Sequence, residues 1–269
     1  MTASIYHFFK FLVENSDAVK SSSNLEKLNF DKEGFVSSKS AGVFPDLAIK
    51  INVDDDVFTG GELIEFKGSQ SMNISSFNST IPTGIKKISE IIESPSIKTQ
   101  MERAGNHIES LPYRDVYYLI SGNKDGKNKV VLVHGNFFET IPVNRLIQEA
   151  FLKIMKDANP NMDYNELEKL SDLHIKQSMF SQVRCIDEAS VKIRFRIMTE
   201  AESNANILNS NIYPQIKDDT LNLCIPYSTI EEKMSIIKKF KFVFDDGFQI
   251  MDLTHKGCSN KFVLFQIGF

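Results

Sequence analysis

Two carboxylates and one lysine in the first quarter of the chain have the residue types and spacing of a hydrolytic site. Pro45 and Asp46 are followed by eighteen residues and then by Glu65, Phe66 and Lys67. Side chains two positions apart in a β-strand point the same way, so Glu65 and Lys67 share a face. Mg²⁺ prefers a few protein oxygen ligands plus water and a substrate phosphate, and a bound ion acidifies water. The pattern predicts phosphodiester hydrolysis, with Asp46, Glu65 and the Phe66 carbonyl on Mg²⁺ and with Lys67 orienting the attacking water.

A predicted antiparallel hairpin must position these residues. Its first strand alternates over residues 46–52 and places Asp46 on the face opposite Leu47 and Ile49. A turn with three aspartates, residues 54–56, and two glycines leads into the second strand, residues 62–67. This pairing brings Asp46 towards Glu65. Glu62 is predicted to lie on the other face as a charge at the hairpin edge, and the three aspartates as a solvated turn.

The remaining pattern predicts interleaved helices and strands. Helices are expected over the first 20 residues and over residues 83–93, 142–157, 163–177, 199–208 and 229–238. A second hairpin joins residues 115–120 and 129–134 through a turn at Asp125 and Gly126. Later strands are expected over residues 191–198, 221–225, 240–252 and 261–266. Strands and helices without a strict βαβ rhythm predict an α/β domain with a mixed central sheet flanked by helices.

Composition places the chain among ordinary globular proteins. Of its 269 residues, 42% are hydrophobic and 25% are charged, and the formal net charge is −4. No apolar run approaches the ~18 residues of a membrane span, so no membrane partner is expected. The three cysteines are far apart, which favours a reducing, cytoplasmic location over a disulfide framework. The expected organisation is a single domain over residues 1–269.

Residues 45–67 resemble the PD-(D/E)XK nuclease motif, in the setting of a type II restriction endonuclease. In that superfamily a helix precedes the hairpin that carries the acidic residues, and a further strand and helix follow it. The resemblance implies a restriction-endonuclease-like core over about residues 1–135, with DNA-recognition and dimerisation elements over about residues 136–269. It also implies an acidic residue on the first helix, for which Glu14 is the candidate and Glu33 the alternative.

Two segments are predicted to contact DNA. Residues 69–80 are rich in Ser, Asn, Gln and Thr, and form an expected loop directly after Lys67; a surface loop without a ligand is the alternative. A basic strand face is the second segment, and a solvent-facing strand paired with acids is its alternative. The residues named for DNA contact are Ser69, Gln70, Ser71 and Asn73 in the loop, Lys86 and Lys87 near the start of the next helix, and Lys192, Arg194 and Arg196 on the strand.

The sequence therefore predicts an Mg²⁺-dependent, sequence-specific endonuclease that cleaves double-stranded DNA. A palindromic target implies a homodimer, because two-fold protein symmetry matches two-fold DNA symmetry. The resemblance also implies a cognate DNA methyltransferase in the same system. Two alternatives remain: a structure-specific repair or recombination nuclease, and a non-enzymatic binding module in which Asp46, Glu65 and Lys67 are surface charges.

Overall fold

A computed structural model gives the structure of this protein. It describes residues 4–21, 25, 28, 30, 35–37, 44–49, 60–74, 76–78, 82–87, 112–138, 143–163, 165–166, 169 and 198–269. No helix in these ranges is long and apolar enough to cross a membrane.

The helices and strands of the described ranges follow one another along the whole chain. The α-helices are α1 (Ser4–Glu14), α2 (Ser16–Ser21), α3 (Val143–Ala158) and α4 (Ile230–Val243), and short 3₁₀ helices cover Gly135–Phe137 and Ser203–Ala205. The strands are β1 (Phe35–Ser37), β2 (Leu47–Ile49), β3 (Leu63–Ser69), β4 (Ser76–Asn78), β5 (Ile85–Lys87), β6 (Tyr113–Lys124), β7 (Lys127–His134), β8 (Met198–Glu200), β9 (Thr220–Tyr227), β10 (Gln249–Thr254) and β11 (Lys261–Gly268).

One mixed sheet organises the molecule, as the alternation of elements predicts. Its strand order is β1-β2-β3-β6-β7-β9-β11-β10, and β5 pairs with β6 off this path. The β3–β6 and β7–β9 pairs are parallel, whereas the other pairs in the order are antiparallel. The last three strands in the order come from the second half of the chain, so both halves build one sheet.

The two faces of the sheet are covered differently. One face, here called the helix face, carries Leu47, Ile64 and Leu119 and packs against α1 and α4. The opposite face, here called the loop face, carries Ala48, Leu63 and Tyr118. It is covered by β4, by the 3₁₀ helix Gly135–Phe137 and by buried side chains between residues 207 and 216. Period-two alternation along β2, β3 and β6 assigns every side chain of these strands to one face or the other.

Most predicted elements are confirmed. β2 and β3 form the expected antiparallel pair, and β6 and β7 form the second hairpin, with Asp125 at positive φ in its turn. Helices α1, α3 and α4, and strands β9 and β11, also lie where the pattern places them. The predicted strand 191–198 lies outside the described residues except for Met198, and most of the predicted helix 163–177 also lies outside them.

Three predictions are wrong. In the first two, pairing in the sheet overrides local propensity, and in the third a helix continues past its predicted end. Ile85–Lys87 is not the start of a helix but strand β5, paired with the first residues of β6. The predicted helix 199–208 begins instead as strand β8 and then forms a 3₁₀ turn. The predicted strand 240–252 begins only at Gln249. Phe240 belongs to the last turns of α4, where its ring stacks on Phe265 at 3.8 Å between centroids.

Candidate functional site

The hairpin brings Asp46, Glu65 and Lys67 together at the loop face. Leu47 pairs with Ile64, so Asp46 lies one position further along, opposite Glu65. The backbone N–H of Phe66 donates to Asp46 Oδ2 at 2.7 Å, which fixes this carboxylate against β3. Lys67 Nζ donates to Glu65 Oε1 at 2.9 Å. Two carboxylates and one ammonium therefore converge on one spot, as the spacing predicts.

Glu65 is the most perturbed member of this group. The residue is 7% exposed, and burial raises the pKa of its carboxyl to about 7. The ammonium of Lys67 acts against this rise, and the nearby Asp46 carboxylate adds to it. Glu65 Oε2 is buried and has no hydrogen-bond partner among the described residues. A buried carboxylate oxygen without a partner is costly, and either a bound cation or a proton shared with Asp46 would complete it.

These features fit Mg²⁺. Asp46 and Glu65 offer oxygen ligands, and Mg²⁺ usually keeps several waters and is held by only one or two protein carboxylates. No cluster of three or more His, Cys, Asp or Glu side chains suited to a metal occurs in the described part of the chain. A site here would therefore depend on two carboxylates with water and substrate. The contribution of the Phe66 carbonyl stays a prediction.

Glu14 is not brought to this site. The apolar side chains of α1, including Phe8 and Leu12, pack α1 against the helix face, whereas Glu65 and Lys67 project from the loop face. Glu14 lies at the end of α1 and is exposed. Its predicted role as the upstream acid is wrong for this arrangement, because the amphipathic stripe commits α1 to the other side of the sheet. The alternative, Glu33, lies outside the described residues.

The polar segment after Lys67 is a folded turn. Ser69 Oγ donates to the Asn73 carbonyl at 2.7 Å and accepts from the Asn73 N–H at 3.0 Å. The Ser71 N–H donates to the same hydroxyl at 3.3 Å, and Gln70 is exposed. Further along, β4 pairs with β8 instead of continuing a loop. The side chain of Ser69 is therefore engaged within the turn, whereas Gln70, Ser71 and Asn73 are its exposed polar residues.

Sequence reasoning missed the residue that holds this turn. The side-chain amide of Asn206, 6% exposed, donates to Asn73 Oδ1 at 3.0 Å and to the Met72 carbonyl at 3.4 Å. Its Oδ1 accepts from the Ile74 N–H at 3.4 Å. More than 130 residues separate the partners. No local pattern in the sequence marks Asn206, because only the tertiary fold brings it to the turn.

The predicted basic contacts are only partly described. Lys86 lies on β5 with its Nζ 5.5 Å from the centroid of the Phe44 ring, and Lys87 is exposed. Both were expected near a helix start and instead lie on a short strand beside β6. Lys192, Arg194 and Arg196 lie outside the described residues, as do Asp54, Asp55 and Asp56.

A second group of buried polar side chains lies on the helix face. Glu62 is on the predicted face but is not an edge charge: it is 2% exposed, accepts a short hydrogen bond from Ser4, and burial raises its pKa to about 7. Asp115 Oδ1 lies 3.5 Å from His134 Nε2. Burial acts to raise the Asp115 pKa, but the hydrogen bond and charge of His134 hold it below its ordinary value. His134 Nδ1 accepts from the Asn136 N–H and so caps the 3₁₀ helix Gly135–Phe137.

Comparison with protein-family models, with curated proteins and with solved structures gives no match for this chain.

Proposed function

We propose that this protein is an Mg²⁺-dependent endonuclease that hydrolyses phosphodiester bonds in double-stranded DNA at a specific sequence. The observation that carries the proposal is the convergence of Asp46, Glu65 and Lys67 on one face of a β-hairpin, with a buried carboxylate oxygen on Glu65 that has no hydrogen-bond partner in the described ranges. The order of helix α1, the acidic hairpin, strand β6 and helix α3 supports the PD-(D/E)XK resemblance.

Asp46 and Glu65 would hold Mg²⁺ in this proposal. The ion would acidify a water and offset the charge that develops on the phosphate. The N–H of Phe66 fixes the Asp46 carboxylate before substrate arrives, so little reorganisation is needed on binding. Lys67, 18% exposed at its side chain, carries its ammonium beside Glu65, where it can donate to an incoming water or to a phosphate oxygen. The 3′ oxygen then leaves the phosphorus in line with the attacking water.

Recognition and assembly are further parts of the proposal. Gln70, Ser71 and Asn73 are exposed polar groups that follow the catalytic strand β3, and Lys86 and Lys87 lie on β5, which pairs with β6. A homodimer that meets a palindromic site, and a methyltransferase that protects the same site, would complete a restriction system.

The test is incubation of the purified protein with plasmid and phage DNA in Mg²⁺ or EDTA. Asp46→Asn and Lys67→Ala are compared with Asp245→Asn and Lys238→Ala, which change exposed residues of the same types elsewhere. Discrete Mg²⁺-dependent fragments, lost in the first two variants and kept in the controls, are expected. A smear without fixed ends would favour a structure-specific nuclease. Intact DNA under every condition, with all proteins folded, would leave a binding module.

A further inference from the structure

Among the described residues, Arg114 is a buried cation without an ion-pair partner. It is 3% exposed, and Nη1 has one long contact, 3.5 Å from the Gly61 carbonyl. Its Nε and Nη2 have no hydrogen-bond partner, and the guanidinium forms no ion pair, within the part of the chain that the structure describes. Burial lowers its pKa to about 10, and Glu62 opposes this only in part. A guanidinium in such surroundings needs an anion, because an unpaired buried charge is strongly unfavourable.

The position of Arg114 shows where that anion would lie. Val116 and Tyr118 belong to the loop face, so Arg114, two positions earlier, projects on the same side as Glu65. Across the parallel pair, Arg114 lies beside Gly61, four residues before Glu65 and so about 13 Å along the strand. Lys86 is its pairing partner on β5, and side chains directly opposite in an antiparallel pair share a face.

The rim of the sheet is one residue away. Tyr113, which begins β6, is 60% exposed, and its pairing partner Lys87 is also exposed. Glu62 does not supply the missing charge, because its side chain lies on the helix face, where it accepts from Ser4. Arg114 and Lys86 thus occupy paired positions on one face of the sheet, one residue from its exposed edge.

We propose that Arg114 is the centre of an oxyanion-binding site whose ligand is a phosphate group. The planar guanidinium donates in a fork that matches phosphate oxygens, and its free Nε and Nη2 form one such donor pair. If the proposed nuclease function holds, on which this identification of the source rests, the ligand is a backbone phosphate a few nucleotides from the cut. Arg114 then sets how the strand lies across Asp46 and Glu65.

Thermal unfolding with inorganic phosphate tests the site independently of any cleavage. We compare wild type, Arg114→Met and Arg114→Lys, with Lys238→Met as the exposed control, in phosphate and in chloride of equal ionic strength. Phosphate is expected to raise the Tm of wild type and Lys238→Met, to raise that of Arg114→Lys less, and to leave Arg114→Met unchanged. Without phosphate, Arg114→Met is expected to melt at or above the wild-type Tm, because it removes an unpaired buried charge.

Equal phosphate effects in all four proteins, or a large fall in the Tm of Arg114→Met without phosphate, would overturn the proposed phosphate site.

The source of the phosphate is tested by the salt dependence of duplex DNA binding in a Glu65→Gln background. Adding Arg114→Met is expected to reduce the slope of log K against log salt by about 1. An unchanged slope, combined with phosphate stabilisation, would assign the site to free phosphate and exclude the DNA backbone. The loss of nuclease activity alone would leave the phosphate result standing.

Discussion

Glu62 makes the stability of the protein depend on pH at the level of one residue. Burial raises its folded-state pKa to about 7 from an ordinary value of 4.5. A raised carboxyl pKa contributes stability that is complete below the unfolded pKa and is lost as pH rises through the folded pKa. Between pH 5 and pH 8 we expect Glu62 to remove about 2 kcal/mol from the free energy of unfolding.

Urea unfolding of wild type and Glu62→Gln at pH 5, 6, 7 and 8 measures this contribution. The glutamine variant keeps the acceptor for Ser4 but cannot ionise, so its free energy of unfolding should fall less from pH 5 to pH 8. Glu232→Gln, on the exposed first turn of α4, is the control and should follow wild type. Identical pH profiles for wild type and Glu62→Gln would contradict the assignment.

Two lysines on β7 contact the same aspartate but differ in burial, so their variants distinguish the contribution of burial to stability from that of the ion pair. Lys127 and Lys129 both contact Asp218, at 2.9 Å and 3.4 Å, but their side chains are 62% and 1% exposed. Lys129 Nζ also donates to the Leu208 carbonyl at 3.2 Å and to Ser210. We expect Lys129→Met to cost about 2 kcal/mol in the free energy of unfolding, because the buried Leu208 carbonyl loses its donor.

Lys127→Met is the matched control. An exposed ion pair contributes little, so its urea midpoint should stay close to that of wild type. Equal shifts in the two variants would mean that the shared aspartate, rather than the buried contacts of Lys129, determines the effect.

At the scale of elements, the turn that ends β7 depends on a glycine. A Cβ on Gly135 would lie 1.9 Å from the backbone oxygen of Thr83, which is too close for any side chain. Gly68, directly after Lys67, has open space around the same position and no positive φ. Gly135→Ala is expected to lower the free energy of unfolding by at least about 3 kcal/mol, and Gly68→Ala by less than about 1 kcal/mol. Thermal and urea unfolding of both variants distinguish them.

The hydrogen bonds of the Asn206 side chain to residues 72–74, here called the Asn206 clasp, link the segment around residue 206 to the turn after Lys67. Asn206→Ala leaves the Ile74 N–H and the Met72 carbonyl without their partner, and should cost about 1–3 kcal/mol in the free energy of unfolding. Urea unfolding is the measurement. Asn211→Ala, at an exposed position in the same segment, is the control, and an equally large loss there would remove the special role of the clasp.

At the scale of the whole molecule, the sequence predicts local structure better than long-range contacts. The hairpin and the shared face of Glu65 and Lys67 follow from alternation alone, because period two needs no tertiary knowledge. The face taken by Glu62 follows in the same way, but its burial does not, since α1 covers it from 58 residues away. Residues 83–93 have a helical apolar spacing, but Ile85–Lys87 within them forms a strand because β6 offers backbone partners there.

The candidate site likewise contains residues that local spacing predicts and residues that only the tertiary fold brings into contact. Asp46, Glu65 and Lys67 are found from spacing, since one hairpin carries all three. Glu14 is misplaced, because the stripe on α1 does not reveal which face of the sheet it will cover. Arg114 and Asn206 give no local signal, because their roles arise only where distant segments meet.

The contacts of Asn206 also determine when, during synthesis, the turn after Lys67 can complete its structure. The acidic hairpin is synthesised before its partner strand β6, and β7 is synthesised after β6. The turn after Lys67 cannot be fastened until the chain has grown more than 130 residues further. While those residues are being added, Asp46, Glu65 and Lys67 lie beside a turn that Asn206 does not yet hold, so the region around Lys67 completes its contacts only after the hairpin itself has formed.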